Sequence, residues 1–442
     1  MLINSCLNMP MKFTVSILGA GAIGQLLAHK LTDASVECQL IVSDSDKYDS
    51  PDWQFRDLNQ KVSSQQLQST AHSSSRKDSS PLVLVFVCVK APQLESALDS
   101  IKHRLHDQSQ LVLFQNGMGH ENVASHYVSE QNIFFASNTH GAYRESSQSL
   151  VYAGAGKIIV GAFEQQSTPE WFNQLQQTST GLTFEWSADI QPILWRKLLI
   201  NAVVNPLTAI HRCKNGELLK EEYRTQLLAL INESRQFAQA MQFDFADDLK
   251  TIILEVIEQT ADNYSSMYQD AMAERMTEIN AINGYLLDQI QAKAFHAPHH
   301  WALWSQFHIQ YPPLKKLTET KAKNFDEVTY HVTQEHGTER PFTGQYNMHQ
   351  EKGVYRCVCC NSVLFDDSGK FDSGCGWPSF DRAQNNKAIA YLVDTSHNMQ
   401  RVEIRCAQCG SHLGHVFNDG PTDTGQRYCV NSVSLDFEPA DH

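Results

Sequence analysis

The chain lacks any long apolar run. None of its 442 residues falls in a stretch of ~18 uninterrupted apolar positions, the length a membrane span needs, so no membrane partner is expected. It is also short of positive charge, with 35 Lys and Arg against 49 Asp and Glu and a net charge of −14. Nucleic-acid-binding domains usually carry a basic stripe, so no nucleic-acid partner is expected either. Met1–Pro10 has neither the basic end nor the apolar run of a signal peptide, which points to a cytoplasmic protein. A strand pattern begins soon after Met11, so Met1 and Met11 both stand as candidate starts. Cysteine is scarce over the first 350 residues, where only Cys6, Cys38, Cys88 and Cys213 occur. The other seven of the eleven cysteines crowd between Cys357 and Cys429. In a reducing compartment such a cluster indicates metal or redox chemistry rather than a disulfide framework. The length implies two or three domains, and a 42% hydrophobic content suffices for their cores.

The hydrophobic pattern divides the chain into three textures. Phe13–Leu18, Cys38–Val42, Pro81–Val89, Gln110–Phe114 and Ile133–Ser137 read as buried strands alternating with helices. That alternation implies a parallel, doubly wound sheet. Gln60–Ser80 is rich in Ser and Gln and reads as a solvated insertion or loop. From about Asp189 long helical patterns take over, through Leu194–Val204, Tyr223–Met241, Leu249–Met272 and Met276–Lys293. Tyr311–Lys323 reads as a linker, and short strands, glycines and cysteines follow it. The expected fold is multidomain: an α/β Rossmann-like domain over 11–188, an all-α substrate or dimerisation domain over 189–310, a linker over 311–324, and a mainly β zinc-containing domain over 325–438.

Cys357-x-x-Cys360 and Cys406-x-x-Cys409 are two pairs of the zinc type. Each turn spaces two thiolates by about one tetrahedral edge, and two turns complete a closed four-sulfur site with no position open to substrate, so one structural zinc is expected. Cys359 lies inside the first pair, but Cys357 with Cys360 fits the usual spacing better. Cys375 and Cys429 remain. Arg427 near Cys429 favours a thiolate there, and glycines on both sides of Cys375 let its backbone move. Spacing alone leaves both open between core thiols and reactive ones.

Longer motifs surround them. His336-Gly337-Thr338-Glu339, Pro341-Phe342-Thr343-Gly344, Lys370 to Phe380, His412-Leu413-Gly414-His415-Val416-Phe417 and Gly425 to Ser432 closely resemble methionine-R-sulfoxide reductases of the zinc-containing B type, through about Phe325–Phe437. The resemblance implies that Cys429 attacks the sulfoxide sulfur, with His412 or His415 as the acid that helps the oxygen leave. It implies that Cys375 then closes a disulfide, which a thioredoxin-like reductant reopens. It casts Trp377 as the apolar wall for the substrate methyl group, and Asp419, Arg427 and Asn431 as groups that orient water and substrate. The substrate would be oxidised methionine, free or in proteins.

At the other end, Gly19-Ala20-Gly21-Ala22-Ile23-Gly24 sits between a strand and a helix. Glycines there permit a tight turn and let a pyrophosphate approach the helix amino terminus. The stretch from Met11 to about His308 resembles ketopantoate reductases, through Val89-Lys90-Ala91, Asn116-Gly117-Met118-Gly119, Thr139-His140-Gly141-Ala142, Leu194-Trp195-Arg196-Lys197-Leu198, Asn201, Asn205-Pro206-Leu207, Ser265-Ser266-Met267 and Thr277-Glu278-Ile279-Asn280. The resemblance implies hydride transfer from a nicotinamide to ketopantoate, with Lys197 as the proton donor. Lys90 and Asn116 would join the cofactor site, and Asn201, Asn205, Ser266 and Glu278 the substrate site. One departure concerns the cofactor. Ser43 and Asp44 stand where relatives often carry an arginine for the NADP 2′-phosphate, with Lys47 nearby as a substitute. NADP(H) is expected, with NAD(H) possible. Three classes of function follow: a bifunctional oxidoreductase, a sulfoxide reductase with an inactive nicotinamide-binding scaffold or sensor in front, and a zinc-ribbon nucleic-acid binder, which the acidic charge and the Cys375/Cys429 pair argue against.

Overall fold

The structure is a computed structural model and describes residues 14–43, 52–71, 80–164, 166–293, 295–311, 325–384, 388–394, 401–422 and 424–440. Asp44, Lys47 and nearly all of the expected linker lie outside these residues. The chain divides into two compact units, 1–198 and 199–442.

In the first unit, β1 (Val15–Leu18), β2 (Cys38–Val42), β5 (Ser69–Ala71), β6 (Leu84–Val87), β7 (Gln110–Leu113), β8 (Ile133–Asn138), β11 (Lys157–Ala162) and β12 (Thr183–Trp186) form one sheet in the order β12-β11-β8-β7-β6-β1-β2-β5. All its pairings are parallel except β11 with β8. β1 and β6 are buried at every position, as strands covered on both faces must be. A second sheet, in the order β4-β3-β10-β9, joins β3 (Asp52–Arg56), β4 (Val62–Gln66), β9 (Gly141–Ser146) and β10 (Ser149–Gly154). Trp53 and Phe55 of β3 are buried in the same core as Leu27 and Leu31 of the Ala22–Asp33 helix. Part of the expected solvated insertion or loop at Gln60–Ser80 is therefore strand, though 62–66 stay mostly exposed, and residues 72–79 lie outside the described ones. Residues 62–66 and 69–71 are strands, because their ladder partners and the His29–Gln65 hydrogen bond hold polar residues that have little apolar area to bury.

The helices of the second unit follow the sequence pattern, with breaks that have local causes. The expected Leu249–Met272 helix is two, Leu249–Gln259 and Ser266–Met272, because the Ser265 side chain accepts from Tyr268 N and starts a new helix. The expected Met276–Lys293 helix contains a π-helical turn at Asn280–Gly284 before Tyr285–Ala292. Gln191–His211 holds Pro206 in its interior. Proline there leaves the carbonyl of Ala202 without its helical donor, and the Asn283 amide supplies one at 2.8 Å. This is the described helix long and apolar enough to cross a membrane, and its window is 67% buried inside the fold. Glu233 accepts from the His299 and His300 amides and so caps the Pro298–Gln310 helix.

The rest of this unit is β-rich. β13 (Gly353–Cys357), β14 (Val363–Asp366) and β21 (Leu435–Pro439) form one antiparallel sheet. β15 (Lys370–Phe371), β16 (Ser379–Phe380), β17 (Ile389–Asp394), β18 (Arg401–Cys406), β19 (His412–Phe417) and β20 (Arg427–Val430) form another, in the order β15-β16-β20-β19-β18-β17. One face packs Tyr391, Ile404, Val430 and Tyr428 into the core. The Pro298–Gln310 helix does not stand clear of this sheet: Trp304 is buried edge-on against Tyr391 of β17, with ring centroids 5.0 Å apart. A helix from before the expected linker thus covers part of this sheet.

Candidate active sites

The strand register builds the thiol site. Residues directly opposite in antiparallel strands share a face. Glu403 pairs with His415, His415 with Cys429, and Cys429 with Ser379, so these four make a row across β18, β19, β20 and β16. Gly414 between the two histidines is required, because a Cβ there would lie 2.0 Å from the Cys429 carbonyl oxygen. Cys375 reaches the row from the loop before β16, and its Sγ lies 3.7 Å from that of Cys429. Ser373 donates to Cys375 Sγ at 2.9 Å, and the Ser379 hydroxyl lies 3.6 Å from it. Gly374 and Gly376 take φ of +68° and +94°, which residues with a Cβ rarely adopt.

Two thiols this close hold one proton between them. The hydrogen bond with Cys429, helped by Ser373 and Ser379, outweighs burial and brings Cys375 down to about 4. The same bond and burial push Cys429 up, and Arg427 opposes them. The two thiols thus compete for one proton, with Arg427 beside them. Arg427 itself is held by both oxygens of Asp419 at 2.8 Å and lies over the Phe417 ring. Asp419 is thereby engaged with Arg427 rather than aimed at a substrate. Asn431 is also engaged: it accepts from Glu339 N and donates to the Leu413 carbonyl, and it is 2% exposed. Its geometry makes it a brace at the end of β20. The Trp377 indole is pinned by the Glu339 carbonyl at 3.1 Å, and its ring is half-buried.

Sequence reasoning missed the groups that hold the histidines. The ring nitrogen Nδ1 of His412 lies 2.6 Å from Glu403, and Nε2 of His415 lies 2.7 Å from Asp394. No local signal marks them: Glu403 lies on β18 beside β19, and Asp394 on β17, one strand further out. A cleft of ≈ 1070 Å³ is lined by Tyr330, His331, Glu339, Arg340, Gly344 and Ser432. Cys375, Trp377 and Cys429 are not among its walls, so it is not the reaction site.

At the ends of β13 and β18, the sulfurs of Cys357, Cys360, Cys406 and Cys409 all lie within 4.8 Å of one another. Cys357–Cys409 and Cys360–Cys406 are each 3.6 Å apart. Four sulfurs ~2.3 Å from a tetrahedral zinc would be ~3.8 Å apart, so the set fits that ion. Cys359 is not part of this set.

In the first unit, Gly21 is the N-cap of the Ala22–Asp33 helix, directly after β1. Gly19 has φ +107°, and a Cβ at Gly24 would lie 2.0 Å from the Gly19 carbonyl oxygen, so the fold itself needs both. A Cβ at Gly21 would meet nothing closer than 3.6 Å, so the turn leaves room in front of the helix amino terminus, where Ala20 precedes the cap and Ala22 and Ile23 open the first turn. That cradle fits a dinucleotide pyrophosphate. Lys90 and Asn116 follow β6 and β7 at the carboxyl end of the sheet, where ligands of such folds bind. The Lys197 ammonium donates to the Asn138 carbonyl at the end of β8, at 2.9 Å. In the second unit, Asn205 and Glu278 are buried and Ser266 is exposed. Asn201 and Asn205 lie four residues apart on one helix face. Asn283, with a buried side-chain oxygen lacking a partner among the described residues, is a further polar group here that went unassigned.

Comparison with known proteins finds relatives for both ends of the chain. Residues 325–439 match the family profile described as SelR domain, residues 15–165 that of ketopantoate reductase PanE/ApbA, and residues 189–310 its C-terminal profile. The peptide methionine sulfoxide reductase MsrB of Chromohalobacter salexigens is 60% identical over 113 residues, which cover 25% of this chain and 85% of that protein. The MsrB of Pseudomonas putida is 55% identical over 127 residues, 29% of this chain and 95% of that one. Among solved structures, a D-mandelate dehydrogenase with NADH and anilino(oxo)acetate superposes with a TM-score of 0.62 at 22% identity, over 68% of this chain and 98% of that chain. The probable 2-dehydropantoate 2-reductase of Bacillus subtilis does so with a TM-score of 0.57 at 25% identity, over 67% and 100%.

Proposed function

The chain belongs, through its last quarter, to the MsrB family of peptide methionine sulfoxide reductases, and from that premise we propose that Cys429 and Cys375 reduce methionine-R-sulfoxide, free or in proteins, with a thioredoxin-like dithiol as the recycling reductant. The observation that carries this is the 3.7 Å approach of the two sulfurs beside Arg427. The Cys429 thiolate takes the oxygen of the sulfoxide, with one proton from a histidine, and methionine leaves. Cys429 is then a sulfenic acid. The Cys375 thiol attacks it, water leaves, and a disulfide forms. Closing 3.7 Å to a bond of ~2.05 Å needs a shift of ~1.6 Å, which the loop between Gly374 and Gly376 can supply. Exchange with the reductant restores both thiols. Trp377 walls the site for the methyl group, Arg427 braced by Asp419 favours the thiolate, and Asn431 braces the strand. Cys357, Cys360, Cys406 and Cys409 would hold a zinc, which would contribute folding energy by linking the turn after β13 to the turn between β18 and β19. The test is Cys429→Ser, which should lose all reduction of methionine-R-sulfoxide. Retained turnover would overturn the assignment.

For residues 11–310, the proposal is a second oxidoreductase activity, the NADPH-dependent reduction of 2-dehydropantoate to pantoate. The cradle at Gly21 and the Lys197 ammonium at the carboxyl end of the sheet support it. The nicotinamide supplies hydride; Lys197 gives the alkoxide its proton, with Glu278, Asn201, Asn205 and Ser266 holding the keto acid and Lys90 and Asn116 the cofactor. NADPH and NADH should both be assayed with ketopantoate, with Lys197→Ala as the control. No turnover with either would leave this part as a scaffold. The working boundaries are 11–188, 189–310, a linker at 311–324, and 325–438, in a cytoplasmic protein.

A further inference from the structure

The indole of Trp377 has a single polar group, its N–H, and it donates to the Glu339 carbonyl at 3.1 Å. Glu339 stands shortly after the Glu327–Glu335 helix, which His336 ends in the left-handed region at φ +58°. Its remaining polar groups are engaged on the other side of the thiol site. The Glu339 N–H donates to Asn431 Oδ1 at 3.0 Å. Its carboxylate accepts from Ser432 N at 2.6 Å through Oε1 and from Val433 N at 3.1 Å through Oε2. Asn431, Ser432 and Val433 follow directly on β20, the strand that carries Cys429. Glu339 is 5% exposed. Burial raises its carboxyl, and the two amides oppose this by favouring the charged form. One residue thus joins the wall of the site to the end of the reacting strand.

Its neighbours tighten the same attachment. Phe342 N–H donates to the Gly376 carbonyl at 2.7 Å, with Phe342 at φ +66°, a conformation that bulky residues rarely adopt. A Cβ at Gly376 would lie 2.7 Å from the Pro341 side chain. A Cβ at Gly344 would lie 2.3 Å from that of Ser432 and 2.8 Å from Glu339 Oε1. At Gly374 a Cβ would meet nothing within 4 Å. The loop is therefore held after Cys375 and open before it. Cys375 can make its ~1.6 Å shift towards Cys429 by turning at Gly374 while the Trp377 side stays in place.

We infer that Glu339 is a positioning residue of sulfoxide reduction: it fixes the Trp377 indole against the end of the Cys429 strand, so that the wall for the substrate methyl group keeps its place while Cys375 moves. The carboxylate matters because two adjacent amides need two acceptors. A glutamine would turn its NH2 group towards one of them, donor against donor. The Glu339 segment then shifts, its carbonyl leaves the indole, and the methyl group loses its wall. The thiols are not reached directly. Among the described residues, the hydrogen bonds of the two sulfurs run to each other, to Ser373, Ser379 and the Trp377 carbonyl, and to Arg427. Loss of the Glu339 carboxylate therefore acts on substrate binding rather than on thiol chemistry. This inference rests on the sulfoxide reductase reading above.

The experiment uses the reduced full chain with methionine-R-sulfoxide, one turnover and no recycling reductant. Glu339→Gln should raise the half-saturating sulfoxide concentration by ~10-fold and leave the saturating rate within ~3-fold. In protein labelled with 5-fluorotryptophan, the Trp377 fluorine signal, assigned by Trp377→Phe, should move in Glu339→Gln while those of the other tryptophans stay in place. A folded Glu339→Gln protein with an unmoved Trp377 signal, or one that loses saturating rate without a change in half-saturation, overturns the inference. If Glu339→Gln does not fold, the wild-type indole decides. A Trp377 N–H that exchanges with solvent at least ~10-fold more slowly than an exposed indole supports the inference, and exchange at the exposed rate overturns it. A wild-type protein with no reduction at all overturns the parent reading, whereas an unmoved Trp377 signal overturns this inference alone.

Discussion

Tyr391 and Tyr428 bond hydroxyl to hydroxyl at 2.7 Å, on the face of the sheet opposite the Cys429 row, and both are 3% exposed or less. Burial, with the neighbouring phenol, pushes Tyr391 far up; burial also raises Tyr428, to about 12. Each hydroxyl is neutral and bonds to the other. Tyr391→Phe would leave the Tyr428 hydroxyl buried and unmatched, which costs ~1–3 kcal/mol, and Tyr428→Phe should cost the same for the mirror reason. Replacing both removes the orphan, so the double variant should be no less stable than the worse single one. The midpoint of urea inactivation of sulfoxide reduction reads this out in the full chain. At an m-value of ~2 kcal/mol/M, a loss of ~2 kcal/mol moves that midpoint down by ~1 M. Additive losses in the double variant would refute the reasoning, because the coupling in such a cycle is the signature of a shared bond.

Other outcomes follow from the same geometry. Gly24→Ala should prevent the first unit from folding, whereas Gly21→Ala should fold, by circular dichroism, and lose nicotinamide binding, by cofactor fluorescence; binding that survives Gly21→Ala would remove the cradle from the account. Elemental analysis should find about one zinc per chain, and Cys406→Ser should lose it together with ordered β18–β19 amides in hydrogen exchange. His300 and His308 are held at about 4 by burial, against ~6.5 in an unfolded chain. Between those values only the unfolded chain takes up the protons, so the stability these rings contribute is complete above pH ~6.5 and is lost as pH falls towards 4. The unfolding temperature should therefore be lower at pH 5 than at pH 7, and a flat profile would contradict the burial.

Much of both sites was legible in the sequence because short-range rules governed them. The zinc cysteines are spaced by turns, and the glycine loop by a strand and a helix on either side, so counting along the chain was enough. Cys375 and Cys429 were legible as the cysteines left over, but not their approach to 3.7 Å, which depends on β16 pairing with β20. Glu403 and Asp394 were not legible at all. Their importance comes from register across three strands, and nothing local marks a glutamate on β18 as the neighbour of a histidine on β19. The polar strands at 62–66 and 69–71 were misread for a related reason, since ladder hydrogen bonds leave no hydrophobic period behind. The burial of Trp304 against Tyr391 joins residues 87 positions apart in sequence, on opposite sides of a charged stretch that reads as a boundary.

The central claim is that Cys429 takes oxygen from methionine sulfoxide and passes the oxidation to Cys375. Its most direct test is mass spectrometry of the reduced full-length protein after one equivalent of methionine-R-sulfoxide, without reductant. The wild-type protein should release one methionine and lose two hydrogens, located by peptide mapping to a Cys375–Cys429 disulfide, while Cys375→Ser should release one methionine and gain one oxygen on Cys429. Methionine released with the oxygen or the disulfide on any other cysteine would contradict it.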